Sequence, residues 1–173
     1  MSNEIVPLLQ LVEGDARNYE DIHRLVEGCG AIISTLGQPK NEPSIFSDAS
    51  KNVVRAMLAL SVNRYVVTTG INVDTPVDEK DPKTKFATDW MHENFPETTQ
   101  DKQVEHDFLA TSTVAWTMVR LPMIIQTEES FEIQTDLKNC AGDKISAFDL
   151  ANFLIDQLED QTYVGKSPFL SNL

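Results

Sequence analysis

Several kinds of residue are scarce in this chain, and each scarcity excludes something. There are two cysteines, Cys29 and Cys140, far apart and in no C-x-x-C pair. That excludes a disulfide scaffold and the common zinc and dithiol motifs, so a buried, reduced thiol is expected at each. The three histidines, His23, His92 and His106, share no metal-type spacing among themselves or with the cysteines. They read as surface or helix-face residues, and no metal is expected. Positive charge is also short: 14 basic residues stand against 27 acidic ones, a net charge of −13. Such a surface repels nucleic acid and anionic membrane, so neither is an expected partner. No apolar run approaches the ~18 residues of a membrane helix. The opening "MSNEIVPLLQ" has no basic region followed by a long apolar stretch, so a secretory leader is not expected and a reducing cytoplasm is. Low-complexity tracts and short-period repeats are missing as well.

What remains is ordinary globular material: 173 residues, 41% hydrophobic and 24% charged. That is enough for one domain over residues 1–173 with a sizeable core. "LLQLVEGD" (8–15) reads as a strand with a turn at its end. "NYEDIHRLVEGC" (18–29) spaces Ile22, Leu25 and Val26 as a helix, with Asn18 as N-cap and Gly28 as stop. "AIISTLG" (31–37) is a second strand, and "SIFSDASKNVVRAMLALSV" (44–62) a helix with Val53, Val54, Met57, Leu58 and Leu60 on a broad buried face. "RYVVTTG" (64–70) is a third strand.

Residues 71–97 are polar and hold three prolines. They are expected to form a long insertion anchored by Trp90, Met91 and Phe95, either simply solvated or covering a site. A helix over 98–112, with Val104, Phe108 and Leu109 inward, leads to a fourth buried strand over 114–125. A short strand within 130–137, a helix over 144–160 capped by Ser146, and a last edge strand in "GKSPFLSNL" complete the pattern. Strands alternating with helices at this length imply an α/β fold with a parallel sheet and helices on both faces.

Ligands of open parallel sheets bind beyond the carboxyl ends of the strands. Those ends offer Gly14, Asp15 and Ala16; Ser34, Thr35, Leu36 and Gly37; Thr68, Thr69 and Gly70; and Leu121, Pro122 and Met123. They are small or backbone-exposing, and any one of them could be only a strand end. Four in register favour binding of a flat ring and a ribose, with Asp15 able to accept from an adenine amino group.

The series "VEGDAR", "GCGAIISTLG", "NVVRAM", "RYVVTTG", "KQVEHDFLATS", "WTMVRLP" and "ISAFDLANFL" resembles the atypical short-chain dehydrogenase/reductases. Within them it is most similar to the NAD(P)H-binding, NmrA-like group, which includes biliverdin reductase B and flavin-reductase-like proteins. The resemblance covers nearly the whole chain. It implies a Rossmann-like, doubly wound, three-layer sheet that binds NADP or NAD. Asp15 and Ala16 would flank the adenine, and Thr35, Leu36 and Gly37 would line the ribose and pyrophosphate. Thr68, Thr69 and Gly70 would stand near the nicotinamide, and Leu121, Pro122 and Met123 would pass under it.

Lys102 matches the lysine of the superfamily's Y-x-x-x-K pair, with Thr69 as the other candidate catalytic residue; Lys102 also reads as a plain surface lysine. Thr98 holds the tyrosine's place, and its hydroxyl is far too weak an acid to replace it. The proton would then come from solvent or substrate, as suits a flavin or a quinone-like ring. The resemblance thus implies an oxidoreductase acting on a small, flavin-like conjugated acceptor. The alternatives are a non-catalytic dinucleotide sensor or interaction module on the same scaffold, and a truncated remnant with only a structural role.

The family opens with a strand, a G-x-x-G-x-x-G turn, a helix and a second strand. None of the seven glycines here forms that turn, so the sheet is N-terminally incomplete as written. Residues 8–15 would be the family's third strand and 31–37 its fourth, and the first two strands lie between these in space. Three explanations stand: residues missing from the sequence, a truncated form that re-pairs its strands, or a unit supplied by another polypeptide. Without the two strands, the 8–15 segment would lie ~10 Å from a pairing partner. An open edge would favour homo-oligomers. The residue that tells NADP from NAD follows the absent second strand.

Overall fold

A computed structural model describes residues 9–173. Leu8, the start of the expected first strand, and most of the stretch read for a leader lie outside the described residues. The helices are α1 (Tyr19–Val26), α2 (Phe46–Leu60), α3 (Pro82–Asn94), α4 (Pro96–Thr111) and α5 (Ala147–Asp156). The strands are β1 (Ala31–Ser34), β2 (Arg64–Gly70), β3 (Ala115–Leu121), β4 (Met123–Ile125), β5 (Ile133–Asp136), β6 (Lys144–Ser146) and β7 (Phe169–Asn172).

Five strands form the main sheet in the order β1-β2-β3-β7-β5, and β4 pairs with β6 in a small second sheet. All pairs are parallel except β5 with β7. Because strand side chains alternate, Tyr65 and Val67 face one side with Trp116 and Met118, where α1, α2 and α4 bring Ile22, Val26, Val53, Met57 and Leu109. Val66, Val119 and Leu121 face the other, where α5 brings Leu150, Phe153 and Leu154. The result is the three-layer α/β arrangement expected from the sequence.

Local capping explains several boundaries. Asn18 Oδ1 accepts from the Glu20 amide, as expected, and Ser146 Oγ accepts from the Asp149 amide. The side chain before α2 is Ile45, which cannot cap. Asp101 of α4 does so instead, its Oδ2 accepting from the Phe46 amide at 2.8 Å and from Ser44 Oγ at 2.7 Å. That cap locks α4 against α2 and fixes where Lys102 stands.

Some expectations fail, each for a physical reason. Residues 9–14 form no strand; Leu9 and Leu11 are 74% and 86% exposed. Among the described residues no strand lies alongside this segment, so its backbone has no ladder to join. Among the described residues β1 pairs only with β2, which leaves it at one edge of the sheet, with β5 at the other. The 71–97 insertion holds a full helix, α3, with Asp81 as N-cap and Pro82 in its first turn, where proline is tolerated. Leu58 and Val104, expected inside, are largely exposed; α4 instead buries Thr99, Glu105, His106 and Leu109. The expected 114–125 strand breaks at Pro122, and β4 leaves for the second sheet. β7, expected at an edge, lies between β3 and β5 and is buried throughout. Cys29 is exposed; only Cys140 is buried.

Arg120 of β3 is fully buried. Its guanidinium donates to both Asp78 carboxylate oxygens at 2.7 and 2.8 Å, and to the carbonyls of Val73, Leu137 and Ser167 at 3.1, 2.9 and 2.8 Å. It also stacks on the Phe169 ring at 3.5 Å. Removing one partner of a buried ion pair strands the other charge at a cost of about 3–5 kcal/mol. Asp78→Asn is expected to lower the unfolding free energy by about 3 kcal/mol, read from urea denaturation; a loss under about 1 kcal/mol would show that Arg120 is held by the carbonyls alone.

Candidate functional site

Three cavities lie along the carboxyl ends of β1, β2 and β3 and a fourth between residues 12–16 and α1, each sharing wall residues with the next. A cavity of about 300 Å³ is lined by Thr35, Leu36, Gly37, Thr68, Thr69, Gly70, Lys102, Leu121, Pro122, Ile124 and Leu150. It therefore gathers most of the strand-end residues singled out in the sequence. Gly70, Leu121 and Pro122 also wall a second cavity of about 440 Å³, closed by Thr84, Ala87, Trp90 and Met91 of α3 and by Cys140 and Gly142. Met123 belongs to this second cavity.

Toward β1, Thr35 and Leu36 are shared with a cavity of about 350 Å³ that also holds Ala16, Ser50, Tyr65 and Glu105. Ala16 in turn reaches a small cavity of about 120 Å³ beside Asp15. Asp15 does not join the strand-end group. Its carboxylate takes a bidentate fork from Arg17, with Nη2 at 2.7 Å, and that guanidinium holds its pKa down to about 2.

Lys102 is the one cation lining the 300 Å³ cavity. Among the described residues it makes no ion pair; its Nζ lies 4.7 Å over the Phe46 ring. Burial holds this ammonium below the ordinary lysine range, against the opposing pull of Glu105. Thr69 Oγ1 is buried without a partner, whereas Thr68 Oγ1 donates to the Ser34 carbonyl at 3.4 Å. An unspent ammonium and hydroxyl beside small strand ends fit the ribose and ring end of a dinucleotide. No glycine-rich turn stands among the described residues to cradle its pyrophosphate.

Thr98, in the place of the superfamily's tyrosine, lies on α4 and does not line the cavity. Tyr65 cannot replace that tyrosine. It is buried, shares a 2.9 Å hydrogen bond with Ser50 Oγ, and has its pKa pushed up by burial and by Glu105.

The chain's match to the NAD(P)H-binding family spans residues 3–161. It belongs to that family. Its cofactor class is therefore NAD(P)H, and the resemblance read from the motif series is borne out. Solved structures give the fold. A short-chain dehydrogenase/reductase from Veillonella parvula DSM 2008 in complex with NADP has a TM-score of 0.73 at 15% identity, covering 93% of this chain and 71% of that one. ChuY, an anaerobillin reductase from Escherichia coli O157:H7, has a TM-score of 0.74 at 16% identity, covering 92% and 73%. The oxidoreductase ylbE from Lactococcus lactis has a TM-score of 0.70 at 14% identity, covering 94% and 71%. No curated protein matches the chain in sequence. Among the described residues there is no cluster able to hold a metal ion and no helix long and apolar enough to cross a membrane.

Sequence reasoning missed two groups of residues. One is the wall of the larger cavity: Asn72, Cys140 and Gly142 on loops, and Thr84 in α3, none of them in a motif. The other is the buried Glu105, whose Oε1 takes a 2.5 Å hydrogen bond from Ser50 Oγ while Oε2 has no partner. Only its place one turn after Lys102 could have marked it.

Burial pushes the Glu105 carboxyl up from its ordinary 4.5 to about 7, against Ser50 and Lys102, which favour the charged form. Between those two values the folded state keeps the proton and the unfolded state has lost it, so stability falls as pH rises. Unfolding measured from pH 4.5 to pH 7 is expected to lose about 3 kcal/mol from this group. Glu105→Gln should remove that slope and be the more stable protein at pH 8; an unchanged slope would remove Glu105 as its source.

Proposed function

We propose that the chain is an NAD(P)H-dependent reductase of the atypical short-chain class, acting on a flavin or another small conjugated acceptor. The observation that carries this is the meeting of two cavities at Gly70, Leu121 and Pro122. One has small strand ends and an unpaired lysine, as a nicotinamide riboside needs. The other is walled by Ile71, Ala87, Trp90 and Met91, as a flat apolar ring needs.

Bound NAD(P)H supplies a hydride, and the acceptor takes it together with one proton. In this reading the Lys102 ammonium donates to the ribose and offsets phosphate charge, and the Thr69 hydroxyl orients the ring end. Leu121 and Pro122 keep water from one face. Among the described residues no tyrosine lines either cavity, so in this reading the proton comes from solvent, which suits acceptors whose reduced form gains its proton at an exposed nitrogen or oxygen. One fold neighbour, ChuY, is an anaerobillin reductase, and a conjugated tetrapyrrole is an acceptor of the same chemical kind. Asp15 would serve the adenine side only after release from Arg17. The two free cysteines suit a reducing compartment such as the cytoplasm.

A second reading, a dinucleotide sensor without turnover, draws on one observation: the tyrosine position is Thr98, and Tyr65 is already engaged with Ser50. Titration with NADPH and NADH followed by turnover with flavins and quinones separates the two. Binding with turnover supports the reductase, binding alone the sensor, and no binding at millimolar concentration defeats both. Lys102→Ala is expected to weaken NADPH binding about tenfold, the loss of one charged hydrogen bond, with the melting temperature kept. Unchanged affinity would take Lys102 out of the site.

A further inference from the structure

Among the described residues the larger cavity has one buried side chain whose polar atoms are left unpaired. Thr84 Oγ1 donates to the Cys140 carbonyl at 3.2 Å, and Cys140 Sγ to the Gly142 carbonyl at 3.3 Å. At the rim Lys83 Nζ pairs with Asp143 Oδ1 at 2.5 Å, so the two charges cancel. Asn72 differs from all of these. It is 1% exposed, and neither its Nδ2 nor its Oδ1 has a hydrogen-bond partner.

Leaving a buried amide unpaired costs on the order of 1–3 kcal/mol per group, and native interiors seldom tolerate it. The Asn72 amide lies directly against Gly70, where any Cβ would strike its Oδ1. Gly70 walls both cavities. The unspent amide therefore stands at the junction where an acceptor ring would meet the cofactor.

A carboxamide offers one donor and one acceptor side by side. Its complement is an N–H beside a C=O, the edge of a lactam or an imide. The remaining walls, Ile71, Ala87, Trp90, Met91 and Met123, supply apolar surface for a ring, and the cancelled rim charges leave nothing to hold an ionic group. We infer that Asn72 is the specificity-determining residue of this cavity, pairing with the N–H/C=O edge of a neutral lactam- or imide-bearing ring. The inference rests on the reductase reading for what happens to that ring, but the binding it describes needs no dinucleotide.

The test uses lumiflavin, which carries an imide N–H, and 3-methyllumiflavin, which lacks it. Each is titrated into the whole chain without dinucleotide, with affinity read from quenching of flavin and Trp90 fluorescence. The expected result is a preference for lumiflavin of about tenfold, one good hydrogen bond. In Asn72→Leu that preference should vanish, lumiflavin weakening while 3-methyllumiflavin holds. The wild-type ratio stands as a test even if the variant does not fold. Equal affinities in the wild type, no binding of either flavin, or a preference that survives in a folded Asn72→Leu would each overturn the inference. If lumiflavin is preferred while neither NADPH nor NADH binds, the reductase reading fails and the cavity assignment stands.

Discussion

The structure depends most on a guanidinium that water never reaches. Arg120 sits on the middle strand of the main sheet and is satisfied by groups from three separate stretches of chain: Val73 and Asp78 after β2, Leu137 after β5, and Ser167 and Phe169 at β7. A buried charge is tolerable only when its hydrogen bonds are complete. Each of those stretches is therefore held in place by the requirement of one side chain. A lysine would not serve, since a point charge lacks the planar fork that reaches several carbonyls and a carboxylate together.

That constraint shapes the candidate site. The 73–78 segment leads into α3, and α3 closes the larger cavity with Thr84, Trp90 and Met91. On the other side of β2, Asp101 caps α2 and so places Lys102 beside the strand ends. The two halves of the candidate site are thus positioned by different buried polar groups, a guanidinium for the cavity closed by α3 and a carboxylate for the one lined by Lys102. The apolar core sets the layers, while these polar contacts set where the cavities open.

Much of this was legible in the sequence because the strands at the centre are buried on both faces and read as unbroken apolar runs. "RYVVTTG" became β2 residue for residue, and most of the residues at the ends of β1, β2 and β3 line one cavity. What was hidden has a common cause, polar residues doing structural work inside. Val104 looked like a core position because it is apolar, but α4 turns Glu105 and His106 inward instead, into contacts with Ser50 and Trp116. Pro82 and Pro96 looked like marks of an irregular loop, yet each stands in the first turn of a helix. The 9–14 segment has a strand's composition and no strand, because pairing needs a neighbour as well as a pattern.

The position of β7 has a consequence for how the chain is made. Residues 169–172 lie between β3 and β5, and Asn172 also ties to Asp149 and to the Ser146 amide that opens α5. β5 is synthesised well before β7 but has no other strand in the sheet to join. On a ribosome, then, β1, β2 and β3 can assemble early, while β5 must wait for a segment that emerges much later. Until β7 emerges, β5 is expected to stand as an unpaired edge, the kind of surface that invites association with another chain.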